Sequence, residues 1–193
     1  MKPSIGRPRV WKALQRAWKN TIEEDYNTSK VLGSEHHLQA AFYSRLKQEI
    51  LAIHPNWKIF VEPRIRLPDT AKSTVFPDIL ICNTNTLISA IELKYAPRAR
   101  ISQVRGHQKD IRTLSTLASW GKKICLVHDR YLGAERSRTK PYEQDSNVLY
   151  VWAGIYKAGD DLEPAKIFEP GQVKFQSLHA LTRKGEPAYI PAA

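Results

Sequence analysis

The sequence predicts an α/β (α+β) fold built on a mixed sheet, and three observations carry that prediction. Residues 34–53 place apolar side chains at helical spacing. Two apolar runs, 75–82 and 87–95, flank the polar tetrapeptide Asn83-Thr84-Asn85-Thr86. A second helical pattern over 101–120 leads into the stretch 122–129, which is nearly all apolar in its centre. Alternating helical and strand periodicities of this kind fold as helices packed on a sheet.

The elements follow in chain order. Residues 1–22 hold six Lys or Arg and no Asp or Glu, and Val10, Leu14, Trp18 and Ile22 recur at helical spacing. A short amphipathic helix is expected, its Trp face packed on the domain and its charges facing phosphates. A second helix is expected over 34–53. Ser34 is a good N-cap, Glu35 suits the positive helix end, and Leu38, Ala41, Phe42, Leu46, Ile50 and Ile53 form one stripe, with Glu35 also on the inward side. Trp57, Ile59, Val61, Ile65 and Leu67 alternate, which predicts one strand across 57–67. A loop over 68–74 precedes the two runs joined at 83–86, which read as a hairpin. The helix over 101–120 uses Val104, Ile111, Leu114, Leu117 and Ala118 as its apolar face. The run from Lys122 suits a strand covered on both sides, paired in parallel after a helical crossover. A polar loop over 130–146, a strand over 147–156 and a short helix near 175–181 complete the reading.

A chain of 193 residues has room for one well-packed domain. The expected subdivision is a basic N-terminal helical arm over 1–33, a core over 34–130, and a C-terminal strand and tail over 131–193. Thirty Lys and Arg against nineteen Asp and Glu give a net charge of +11, which favours a polyanionic partner, nucleic acid first among them. Cys82 and Cys125 sit in apolar runs with no Cys/His cluster, so buried free thiols of a reducing, cytoplasmic setting are expected and a zinc site is not. No stretch approaches the ~20 apolar residues of a membrane span, and the basic start lacks the apolar region of a secretory signal; no membrane association is expected.

The chemistry concentrates in Pro77-Asp78 and Glu92-Leu93-Lys94. Residues two apart on a strand point the same way, so Glu92 and Lys94 share a face. With the turn centred on Thr84 and Asn85, cross-strand partners have numbers summing to 169 or 170, which sets Asp78 opposite Ile91 or Glu92. In the second register the two carboxylates are neighbours, with Cβ atoms roughly 5 Å apart. Such carboxylates repel unless a cation joins them, and oxygen ligands suit Mg²⁺, with Mn²⁺ as substitute. A lysine one strand position on reaches the same phosphate or its attacking water. Ile88 and Ala90 are placed on the face of Glu92. Arg98, Arg100, Arg105 and Lys109 follow closely and read as a phosphate clamp.

Pro77-Asp78, thirteen intervening residues, then Glu92-Leu93-Lys94 resembles the PD-(D/E)xK nuclease superfamily, which includes restriction enzymes, recombination nucleases and Holliday-junction resolvases. The resemblance covers 34–129, about half the chain. It implies a restriction-endonuclease-like core in the order α-β-β-β-α-β and an Mg²⁺-dependent endonuclease acting on DNA. By analogy with relatives that act in pairs, it also implies a homodimer. It makes Asp78, Glu92 and Lys94 the catalytic set, adds the Leu93 carbonyl and Glu35 as metal ligands, and assigns Gln108 as the polar inward residue of the following helix. Position 112 is Arg where one exonuclease branch has Tyr after such a Gln. Two rival readings are a nuclease-like module that binds nucleic acid without cutting, and a basic assembly subunit with an accidental motif. The second requires Asp78 and Glu92 to lie far apart.

Overall fold

The computed structural model describes residues 7–67, 74–103, 106–121, 123–128, 138–144, 147–159 and 175–191. Helix α1 (Arg7–Asn20) runs directly into a π-helical segment, Thr21–Thr28, and helix α2 spans Glu35–Ile53. Strands β1 (Lys58–Val61), β2 (Ile65–Arg66), β3 (Thr74–Val75), β4 (Ile79–Cys82) and β5 (Leu87–Arg100) follow. Helix α3 (His107–Trp120) precedes β6 (Ile124–His128), β7 (Arg138–Tyr142), β8 (Leu149–Lys157) and β9 (Phe175–Thr182). The result is a mixed α/β fold around a five-stranded sheet of order β1-β4-β5-β8-β9, beside a four-stranded sheet of order β3-β2-β6-β7. In the larger sheet β1, β4 and β5 are antiparallel, whereas β5, β8 and β9 run parallel.

Alternation along the strands of the large sheet divides its residues between two cores. Ile79, Ile81, Ile91, Leu93, Val151, Ala153 and Ile155 face α1 and α2, where they meet Leu14, Trp18, Leu38, Phe42, Leu46 and Ile50. Leu80, Cys82, Ala90, Tyr150, Trp152 and Tyr156 face α3 and the small sheet, where they meet Leu114, Leu117, Ile65 and Leu126. Because β5 and β8 are covered on both sides, they read as continuous apolar runs. Ser34 caps α2 as expected, its side chain accepting from the His37 N–H at 3.2 Å.

The basic N-terminal segment packs as part of this core. Trp18 is buried edge-on against Phe42 with ring centroids 5.7 Å apart, and its indole N–H donates to the His179 carbonyl at 3.2 Å. Arg45 of α2 grips the π-helical segment through a two-pronged pair with Asp25, both contacts at 3.0 Å.

Several expectations need correction. The alternating run 57–67 is two strands in two sheets: β1 ends at Val61, Glu62 takes a left-handed backbone (φ 47), and the chain crosses at Pro63 to β2. The run at 124–128 is not the parallel partner of β5. It joins the small sheet antiparallel to β2 and β7, and the parallel partner of β5 is β8. Residues 138–142, expected in a loop, form edge strand β7, where Pro141 is tolerated because one side needs no ladder bond. Residues 175–182, expected as a helix, form strand β9. Cys82 is buried, but Cys125 is only partly so. No described helix is long and apolar enough to cross a membrane.

Candidate active site

The hairpin turn sets the register of the site. The Asn83 side chain accepts from the N–H groups of Asn85 (2.9 Å) and Thr86 (2.6 Å), closing a tight Asx turn. Pairing then runs Ile81↔Ser89, Leu80↔Ala90, Ile79↔Ile91, a constant sum of 170, so the next rung sets Asp78 against Glu92. The ladder slips between Ile81 and Cys82, and the bulge turns Ile88 toward the α1/α2 core, away from the face of Ala90 expected from simple alternation.

Strand β4 begins only at Ile79, so β5 outruns it and exposes unpaired N–H groups on that edge. Carboxylates take them: Leu93 N–H donates to Asp78 Oδ2 at 2.6 Å, and Tyr95 N–H donates to Glu35 Oε2 at 3.2 Å. Gln39 of α2 donates to the Asp78 carbonyl at 3.4 Å, and Glu62 N–H donates to the same oxygen at 2.8 Å. Lys94 Nζ lies 3.1 Å from Glu35 Oε2 and 3.7 Å from Asp110 Oδ2. Lys94 also runs close to Gly106, where a Cβ would sit 3.5 Å from Nζ and where a positive φ of 88 opens α3.

Asp110 is the residue that the sequence pattern missed. Helix α3 starts after Gly106, and the frame Asp110, Leu114, Leu117 faces inward, which leaves Gln108 exposed. The helical stripe drawn from Val104 assigned the inward polar position to Gln108 because it began the helix too early. The spacing Asp110-Leu114-Leu117, read from a start at Gly106, contains the signal.

Glu35 and Asp110 therefore hold the Lys94 ammonium, Asp78 is near enough to act on it, and Glu92 lies beside Asp78; the titration of Asp78, Glu92 and Asp110 records the crowding. Burial and repulsion from Asp78 and Asp110 push Glu92 up to about 10. Asp78 is pushed up to about 6 by burial, against the opposing Leu93 N–H bond, with Glu35 repulsion adding to the rise. Burial also raises Asp110, partly offset by Lys94. Burial lowers Lys94, but Asp110, Glu35 and Asp78 overcome it and leave the ammonium above its ordinary value. At neutral pH Glu92 is the protonated partner beside ionised Asp78. Glu92 Oε1 and Asp110 Oδ2 are buried without hydrogen-bond partners. The Trp152 indole stands close enough to favour ionised Asp110, yet its Nε1 is outside hydrogen-bond geometry.

Among the described residues no three His, Cys, Asp or Glu side chains converge as a ready metal-ligand group. Asp78 and Glu92 nonetheless lie near enough to act on each other's titration, and are not far apart as the accidental-motif reading expects. Of the expected phosphate clamp, Arg98, Arg100 and Lys109 are exposed, and Lys109 is near enough to act electrostatically on Glu92 and Asp110. Arg105 lies outside the described residues, as does Val104. Set against known proteins, the chain matches no family model, no curated protein and no solved structure. Fold and site together define a mixed α/β protein with a largely buried carboxylate–lysine cluster on the central strand of its main sheet, where β5 runs past the start of β4.

Proposed function

We propose that the chain is a metal-dependent nuclease of the PD-(D/E)xK kind, hydrolysing DNA phosphodiester bonds as an endonuclease. The observation that carries the reading is the hairpin register, which sets Asp78 against Glu92 with Lys94 two residues further along the same strand. Support also comes from element order. Within the large sheet alone, with β2, β3, β6 and β7 of the small sheet intervening in the chain and β8 in place of the expected strand at 124–128, helix α2, strands β1, β4 and β5, helix α3 and the parallel strand β8 are compatible with the helix, three strands, helix, strand sequence of that superfamily.

The donor set fits a hard divalent cation: oxygen ligands only, one of them an orphaned buried carboxylate oxygen, and carboxyls whose pKa values are raised by burial and by neighbouring carboxylates. Mg²⁺ commonly takes only one or two carboxylates and fills its shell with water and phosphate oxygens. Asp78 and Glu92 would hold it, with the Leu93 carbonyl and Glu35 beside them. When bound, the ion supplies Lewis-acid polarisation of the phosphate and a bound water of lowered pKa. Glu92 must give up its proton for that state. Lys94, held by Glu35 and Asp110, places its ammonium where the attacking water or the developing phosphate charge would lie. Asp110 acts through Lys94 and is a positioning residue.

Purified protein incubated with linear, circular and branched DNA plus Mg²⁺ should yield products that EDTA suppresses. Lys94→Ala should lower turnover at least a hundredfold, the scale of losing one transition-state donor (about 10²–10³), while DNA affinity stays within a few-fold. Unchanged turnover in that variant removes Lys94 from the chemistry. DNA binding by the wild type without Mg²⁺-dependent products would instead favour the non-cutting module.

A further inference from the structure

The outer face of the small sheet carries an unusual combination beside the carboxylates. Strands β2 and β3 pair Ile65↔Val75 and Arg66↔Thr74. Ile65 is fully buried and Val75 packs on the same core, so Arg64, Arg66 and Phe76 point the other way, to solvent. Continuing the register by one rung sets Arg64 across from Phe76. Phe76 is 58% exposed, the highest value among the exposed large apolar residues. Single exposed apolar residues are ordinary, and Val31, Leu51, Tyr189 and Ile190 need no account. Phe76 differs by its setting, flanked by two arginines that form no ion pair among the described residues.

The platform is also rigidly tied to the site. Phe76 and Asp78 are two positions apart in the chain, a reach of at most about 7 Å. Buried Pro77 lies between them, and the Asp78 carbonyl is held by Glu62 and Gln39. The Arg64 carbonyl accepts from Val127 N–H at 2.9 Å, which fixes the other side.

We infer that Phe76, with Arg64 and Arg66, is a contact surface for unpaired nucleic acid, stacking one base beside the position held at Asp78 and Glu92. An exposed aromatic ring with two arginines on the neighbouring strand offers a π-face beside phosphate-binding cations, as a single strand presents bases beside phosphates. A duplex offers no free base face to a ring on a sheet surface, so the surface selects an unpaired segment such as a junction, flap or frayed end. The inference rests on the nuclease reading for its occupant, but binding through this surface needs no metal.

The test is fluorescence anisotropy with a labelled oligothymidylate, an abasic oligonucleotide of equal length and a blunt duplex, all in EDTA. Phe76→Ala should weaken oligothymidylate binding roughly tenfold, the scale of one lost stack, with abasic and duplex affinities changed less than twofold. Phe76→Trp should restore it. The double substitution Arg64→Ala, Arg66→Ala should flatten the slope of log affinity against log salt by about 1.4, or about 0.7 per phosphate on a single strand. Equal affinity of Phe76→Ala and wild type for oligothymidylate overturns the inference, as does equal loss on the duplex, or no binding by wild type. Phe76-dependent binding without Mg²⁺-dependent products sinks the nuclease reading and leaves this one standing; products formed with Phe76→Ala affinity unchanged do the reverse.

Discussion

Glu92 is only 5% exposed, with one oxygen unpartnered and its pKa pushed up to about 10, so in the metal-free protein it is a neutral acid at pH 7. The consequence for stability has a definite sign. The folded state keeps a proton that the unfolded chain releases above an ordinary pKa near 4.5, so stability falls as pH rises from that value toward the folded pKa. By pH 7 the accumulated cost is on the order of 3 kcal/mol. Glu92→Gln keeps the shape and a donor for Asp78 but cannot ionise. In EDTA it should raise stability at pH 7 by about that amount and flatten the pH dependence, read from urea unfolding at pH 5, 7 and 9. A variant no more stable than wild type at pH 7 would show that Glu92 is already solvated and ionised. The same substitution should remove DNA cleavage, the pattern expected of a group kept for chemistry rather than for folding.

At the scale of elements, what the sequence disclosed depended on whether one pattern had one meaning. The β4–β5 hairpin was legible because Asn83 and the tetrapeptide it opens define the turn, and the turn counts out the register to Asp78. Helix α2 was legible from its cap and stripe. The split of 57–67 was hidden because the alternation keeps its phase from Trp57 to Leu67 across the crossing, and Pro63 was the only signal of a break. Strand β9 was hidden because both of its faces are covered. Leu178 and Ala180 meet one core and Phe175 and Leu181 the other, so the apolar spacing mimics a helix while His179 occupies a buried position. Asp110 was missed for a subtler reason: Leu114 and Leu117 were read correctly as the buried face, but an acid four residues before Leu114 does not read as part of an apolar stripe. Strand β8 shows how tightly these elements interlock. The Trp152 ring folds over Gly154, where a Cβ would stand 2.2 Å from the indole. Trp152 is fully buried and has Asp110 beside it, so the ring has nowhere to move without disturbing the site. Gly154→Ala should therefore destabilise the protein by about 1–3 kcal/mol, the usual cost of overpacking a core. Thermal unfolding would show a fall of several degrees, and an unchanged midpoint would mean that the ring does not need that space.

The whole molecule sets a basic body around an acidic centre. A net charge of +11 favours the approach of a polyanion, whereas Asp78, Asp110 and Glu35 near Lys94 would, unless neutralised, repel its phosphates. On the proposed reading a divalent cation would reconcile the two, and its binding would compete with protons for the same carboxylates. Stability thus becomes a joint function of pH and metal. Without metal, Asp78, pushed up to about 6, and Glu92 both make stability fall with rising pH, Asp78 between about 4 and 6 and Glu92 over the wider span to about 10. With metal, ionised carboxylates are the bound state, and stabilisation grows as pH rises. At pH 8 a hundredfold excess of Mg²⁺ over its dissociation constant adds about 2.7 kcal/mol, or about 5–10 °C in melting temperature for a chain of this size. At pH 5 both carboxyls are protonated, and the shift should vanish. Thermal melts across pH 5–9 with Mg²⁺ and with EDTA would therefore diverge toward alkaline pH, and Asp78→Asn should bring the two curves together. Parallel curves at every pH would mean that no cation binds at these carboxylates, and the hydrolytic role proposed for them would fall with it.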